Sequence, residues 1–147
     1  LALIAAVAIG EYFAAGEVSE IWITFPDPQL RFSKAKKRLT HPKFLRLYQQ
    51  FLVPGGKIHL KTDSPDLYRF TRLVIEMYGC TVHTDIEYVF GGGEVSDELR
   101  IKTHYESLDI AGSNRVHYLC FSLPASLGGS ENDLRLKEKL MENEPAD

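Results

Sequence analysis

Two short strand-like runs, Glu20-Ile21-Trp22-Ile23-Thr24-Phe25 and Lys57-Ile58-His59-Leu60-Lys61-Thr62, bracket a stretch with helical apolar spacing. This arrangement constrains the fold more than any other feature of the chain. In the bracketed stretch Phe44, Leu45, Leu47, Tyr48, Phe51 and Leu52 supply one face of a helix. Thr40 reads as its N-cap, Pro42 lies in its first turn and Pro54-Gly55-Gly56 closes it. A helix is also expected upstream, over Ile4 to Ala14, with Gly16 as its stop signal. Another follows Asp63-Ser64-Pro65, carrying Leu67, Phe70, Leu73, Val74 and Met77 at helical spacing. Helix, strand, helix, strand, helix with turn signals between them indicates an open, parallel α/β sheet rather than a bundle or sandwich.

Two further strand-like runs, Cys80 to Tyr88 and Arg115 to Leu123, are expected to pair antiparallel at a sheet edge. Gly91-Gly92-Gly93 and a segment through Glu106 lie between them. After Pro124 the composition turns to Gly, Ser and acidic residues. Residues 125–147 therefore read as a disordered acidic tail, with at most a short helix from Asn132 to Met141.

With 147 residues, 44% of them hydrophobic and 25% charged, the chain has the make-up of one globular domain with its own core. The apolar stretch Leu1 to Ile9 is too short to span a bilayer and reads as a core helix, so no membrane partner is expected. The two cysteines, Cys80 and Cys120, are far apart and have no Cys or His at ligand spacing. Neither a metal site nor a disulfide framework is suggested, and two buried thiols in a reduced cytoplasm fit the pattern.

The formal net charge of -3 hides an asymmetry. From Pro28 to Thr62 there is no Asp or Glu, while Arg31, Lys34, Lys36, Lys37, Arg38, Lys43, Arg46, Lys57 and Lys61 make up roughly half of the 17 basic residues. A charge run alone is more often a solvated helix face. Set in a domain of near-neutral charge, it suggests an anionic partner docked on one side. The segment up to Thr40 reads as a basic, mobile loop.

In an open parallel sheet the ligand crevice lies beyond the carboxyl ends of the strands. Asp27 follows the first run and Asp63 the second, so two carboxylates are expected at one edge. For Asp63 a helix N-cap before Ser64-Pro65 is an equal alternative. Asp27 is clamped between Pro26 and Pro28, a restricted backbone that helps to aim a carboxylate. His59 and His117 fall in strand runs and read as packing or surface residues rather than acids.

These residues carry a family resemblance. Phe25-Pro26-Asp27-Pro28, the basic run ending Lys36-Lys37-Arg38-Leu39-Thr40, Gly55 to Asp63, and Thr103-His104-Tyr105-Glu106 resemble, in order and spacing, the single-chain bacterial tRNA guanine-N7 methyltransferases. The resemblance covers roughly Gly10 to Pro124. It implies a Rossmann-like class I methyltransferase sheet, S-adenosylmethionine as methyl donor, and a guanine in tRNA as acceptor, in a chain that is monomeric or homodimeric. It implies that Asp27 is the catalytic and cofactor-facing carboxylate and that Arg31, Asp63, Thr103, His104, Tyr105 and Glu106 lie on the substrate side. Lys34, Lys36, Lys37 and Arg38 would meet tRNA phosphates.

Two departures stand out. Gln29 replaces the family's Trp after the second proline, and Arg31 replaces a lysine, keeping charge but changing geometry. Nothing matches the family's first strands, its glycine loop or its ribose-binding acid, so residues 1–124 are expected to be a partial methyltransferase domain belonging to a longer protein. A non-catalytic tRNA-binding fragment is the alternative reading. A metal nuclease, suggested faintly by Pro26-Asp27 and Lys61, fails on position because His59 stands where a second carboxylate would be needed.

Overall fold

The computed structural model of the chain describes residues 13–87 and 115–144. The helix expected over Ile4 to Ala14 and the glycine run at Gly91 to Gly93 lie wholly or largely outside them. In chain order the elements are β1 (Val18–Thr24), a short 3-10 helix (Phe32–Lys37), α1 (Pro42–Gln49), β2 (Leu52–Thr62), α2 (Pro65–Tyr78), β3 (Thr81–Ile86), β4 (His117–Ser122) and α3 (Ser130–Asn143). Among the described residues the strands form one sheet in the order β1-β2-β4-β3. β1 and β2 run parallel around the α1 crossover, and β4 pairs antiparallel with both β2 and β3. The parallel pair and the antiparallel addition both match the expectation from sequence, with β4 between its partners and β3 outermost.

One face of the sheet carries the main core, in which Ile58, Leu60, Leu119 and Phe121 meet Leu45, Leu67, Val74 and Leu136 from the helices. The other face gathers Val116, Tyr118 and Cys120 with Trp22, Phe25 and Ile86 packed against them. There the His59 ring stacks on Trp22 with centroids 3.9 Å apart, and its Nδ1 lies 2.7 Å from the Tyr118 hydroxyl. His117 is stacked on Tyr68 at 4.5 Å. Both histidines are therefore packing residues, as their strand positions indicated. Of the two thiols Cys120 is buried and Cys80 only partly so.

Several local boundaries differ from expectation. His41, not Thr40, caps α1: its Nδ1 accepts the Lys43 backbone N–H at 3.0 Å, directly before Pro42. Thr40 is buried instead, with its hydroxyl 2.7 Å from that of Thr71, which donates to the Leu67 carbonyl. α1 stops at Gln49, and Pro54-Gly55-Gly56 lies within β2 rather than ending the helix. The extra residues are absorbed where the register jumps from Val18 opposite Leu52 to Glu20 opposite Lys57. A Cβ on Gly56 would stand 2.7 Å from Leu52 Cγ, so only glycine fits this bulge. Ser64, not Asp63, caps α2 by accepting the Leu67 N–H at 3.1 Å.

The largest correction concerns the acidic C-terminal segment, where the short helix allowed from Asn132 to Met141 is α3, running from Ser130 to Asn143 and packed on the core rather than set in a disordered tail. Leu136 and Leu140, four residues apart, are 2% and 5% exposed, and Leu127 joins the same core. Two acids of this segment, Asp133 and Glu144, face the acid-free basic stretch. Asp133 takes a two-pronged contact from Arg46, at 3.0 and 2.8 Å, and a hydrogen bond from the Tyr78 hydroxyl. Composition counts such charges as solvated, whereas here they are complemented.

Burial pushes the His41 pKa down to about 4, helped by the nearby Lys36, Arg38 and Arg46 charges and opposed by Asp133. A histidine kept neutral by folding contributes stability that is complete above the unfolded value of 6.5 and is lost as pH falls toward 4. Protonation also removes the Nδ1 lone pair that caps α1. His41→Asn, which retains a capping oxygen, is expected to flatten the loss of thermal stability between pH 6.5 and 4. The remaining slope includes His117, whose pKa burial also lowers. An unchanged pH profile would show that His41 titrates alike in both states.

Candidate active site at the carboxyl edge of the sheet

The parallel strands end level with one another. Thr24 pairs with Lys61, and the Phe25 N–H donates to the Lys61 carbonyl at 2.8 Å. The chain then leaves β1 through Pro26-Asp27-Pro28 and leaves β2 at Asp63, so the two carboxylates emerge at the same edge, both exposed. β4 runs the opposite way and begins there, with His117 opposite Thr62, while β3 ends there, with Ile86 opposite Tyr118. Glu87 and Arg115, which flank residues 88–114, thus also stand at this edge. Asp63 and Glu87 both act on the His117 ring to raise its pKa, but burial outweighs them. Thr103, His104, Tyr105 and Glu106 lie outside the described residues.

The Asp27 loop is held in an unusual backbone. Phe25 and Gln29, neither of them glycine, both have φ of 49°, in the left-handed region on either side of the proline-locked aspartate. Each such residue costs on the order of 1 kcal/mol or more and persists only where its surroundings over-determine it. Part of that determination is visible: the Gln29 N–H donates to Asp27 Oδ1 at 3.0 Å, fixing one carboxylate oxygen.

The basic run is ordered, not a mobile loop. Phe32 and Ala35, three residues apart, turn toward the core from the 3-10 helix. Lys36 and Lys37 are exposed and Lys34 is half-buried. Arg31 is exposed just ahead of the helix. Arg38 departs from expectation: it is 2% exposed and faces inward. Its guanidinium donates to both Glu144 carboxylate oxygens at 2.7 and 2.9 Å, its Nε donates to the Gln29 carbonyl at 3.0 Å, and it lies 4.5 Å above the Phe70 ring. A guanidinium so occupied has no N–H fork to offer a phosphate, unlike the ammonium groups of the exposed Lys36 and Lys37. The contacts of Arg38 with Glu144 and Gln29 were not legible in the sequence, because the pairing spans 106 positions in one case and uses only a backbone carbonyl in the other.

Comparisons with known proteins agree with this architecture. Residues 3–115 match the model of a family described as "Putative methyltransferase". A tRNA (guanine-N(7)-)-methyltransferase of Porphyromonas gingivalis is 44% identical over 138 residues, covering 93% of this chain and 53% of the relative. A protein of the same name from Bacteroides fragilis is 42% identical over 129 residues, covering 88% of this chain and 50% of the relative. A third, from Staphylococcus haemolyticus, is 45% identical over 74 residues, half of this chain. The chain spans about half the length of the first two relatives. With the family model covering well over half of its residues, the chain belongs to this methyltransferase family.

Proposed function

We propose that the protein transfers a methyl group from S-adenosylmethionine to N7 of a guanine in tRNA, with Asp27 as its catalytic carboxylate. The observation that carries the reading is the Asp27 loop, an exposed carboxylate aimed by two prolines and flanked by left-handed residues at the level ends of two parallel strands. The names of the relatives point to the same substrate.

The described residues fit one side of the cofactor. Asp27 is an acid at the crevice edge with one oxygen uncommitted to Gln29, suited to a cationic ligand group. Bound there, S-adenosylmethionine supplies a methyl group made electrophilic by a positive sulfur. Guanine N7 already presents a lone pair, so the protein needs no base to remove a proton from it, and catalysis rests on orientation and electrostatics. Asp27 stabilises the positive charge that the guanine ring acquires. Asp63, and Glu106 by resemblance, accept hydrogen bonds from the N1 and N2 donors of guanine, donors that adenine does not repeat on that edge. Arg31, Thr103, His104 and Tyr105 complete the substrate side, and Lys34, Lys36 and Lys37 hold phosphates. A tRNA substrate would put this activity in the cytoplasm.

The deciding experiment incubates unmodified tRNA with the protein at the full length of its relatives and labelled S-adenosylmethionine, followed by nucleoside mass spectrometry. Label in 7-methylguanosine supports the reading, and label in another nucleoside or none overturns it. Calorimetry with S-adenosylhomocysteine on the 147-residue chain and on the longer protein separates an enzyme from a purely tRNA-binding module.

The basic run makes a separate prediction. Lys36→Ala with Lys37→Ala is expected to weaken tRNA binding and to reduce the slope of log affinity against log salt by about 0.7 to 0.9 per lost phosphate contact. Guanine preference should survive, since phosphate contacts carry no base information. Unchanged affinity across a salt titration would identify the run as a solvated face.

A further inference from the structure

The geometry points to a positioning device for Asp27 that is built from the far end of the chain: the Glu144–Arg38 pair, which fixes the catalytic carboxylate through Gln29. The inference rests on the reading of Asp27 as the catalytic acid and extends that reading to α3.

The connection is continuous. Glu144, at the C-cap of α3, receives both guanidinium N–H groups of Arg38 at 2.7 and 2.9 Å, which sets the plane of the fork. With the fork fixed, Nε of Arg38 donates to the Gln29 carbonyl at 3.0 Å, and a longer contact of 3.4 Å reaches the Leu30 carbonyl. The same Gln29 residue, held at φ of 49°, donates its N–H to Asp27 Oδ1 at 3.0 Å. A single peptide residue is thus pinned at its carbonyl by Arg38 and grips the aspartate with its amide.

Burial makes the device stiff. The Arg38 side chain is 3% exposed and that of Glu144 is 17% exposed, so water competes weakly for their hydrogen bonds. Phe70 of α2 closes one face of the guanidinium. A left-handed glutamine relaxes unless something holds it, and Arg38 supplies that restraint. Neither Glu144 nor Arg38 is assigned a contact with substrate; each acts through Gln29.

A double-mutant cycle on the full-length protein tests the proposal, with Glu144→Gln, Asp27→Asn and their combination assayed well below the melting temperature of each. Glu144→Gln preserves shape and should lower kcat about ten-fold with tRNA affinity unchanged, since a small misplacement of a catalytic group carries a cost of this order. In the Asp27→Asn background the same change should alter kcat less than two-fold, because the group to be positioned is already gone. Amide hydrogen exchange supplies a readout independent of turnover: the Gln29 N–H should exchange about ten-fold faster in Glu144→Gln. Arg38→Lys, which keeps the charge but not the fork, should repeat both effects if Glu144→Gln proves too mild. Equal rate losses in the two backgrounds together with unchanged Gln29 exchange would overturn the proposal. If Asp27→Asn alone leaves the rate intact, the catalytic reading fails, and the exchange result still decides whether the pair holds the loop.

Discussion

Asp27→Asn is expected to reduce the single-turnover rate of methyl transfer about a hundred- to a thousand-fold while leaving tRNA affinity within a few-fold. The substitution keeps the shape of the side chain and an oxygen that accepts the Gln29 N–H. What disappears is the negative charge. If that charge stabilises a developing guanine cation in a site shielded from water, its removal should raise the barrier by about 3 to 4 kcal/mol. If the carboxylate only shapes the turn, asparagine shapes it nearly as well and the rate holds. Saturating tRNA and cofactor isolate the chemical step from binding and release. A rate within about five-fold of wild type, on the order of 1 kcal/mol, would remove Asp27 from the chemistry and make Asp63 the next carboxylate to replace.

Arg38→Ala is expected to be the most destabilising change in the basic run, at about 3 kcal/mol, the lower end for breaking a buried ion pair. It strands the Glu144 carboxylate, frees the Gln29 carbonyl and uncovers Phe70. For a chain of this size the thermal midpoint should fall by roughly 10 °C. Lys36→Ala and Lys37→Ala, on the exposed side of the same helix, should stay within about 0.5 kcal/mol of wild type. Removing both partners together, as Arg38→Met with Glu144→Leu, should recover much of the loss, because no buried charge is left unpaired. Thermal unfolding of the set decides. A loss under about 1 kcal/mol for Arg38→Ala would return it to the surface lysines as a phosphate contact.

The strand positions and the edge that holds Asp27 and Asp63 were legible because each rests on local pattern. β1 buries Ile21 and Ile23, β2 is buried throughout Ile58 to Thr62, and Pro26 can only end a ladder. What was not legible depended on partners remote in sequence. Arg38 and Lys37 are neighbours of similar chemistry, and it is remote partners, Glu144 and Phe70 among them, that make one a core residue and the other a surface residue. The same blindness made the segment after Pro124 read as disordered. Asp133 and Glu144 looked like excess charge because Arg46 and Arg38, which they complement, are 87 and 106 positions away. The cap errors have a smaller cause: Thr40 and Asp63 are good capping residues, but Pro42 and Pro65 each fix the helix start so that the residue immediately before them is the cap.

The left-handed backbone at Gln29 has a consequence for anyone who seeks a sturdier enzyme. Glycine there would release the steric clash of a side chain at φ of 49°, and a stability screen would tend to favour it. The same change would widen the range of conformations open to the amide that grips Asp27. Selection for heat resistance and selection for turnover should therefore pull this residue in opposite directions, and a library ranked by melting temperature alone would be expected to enrich slower catalysts at position 29.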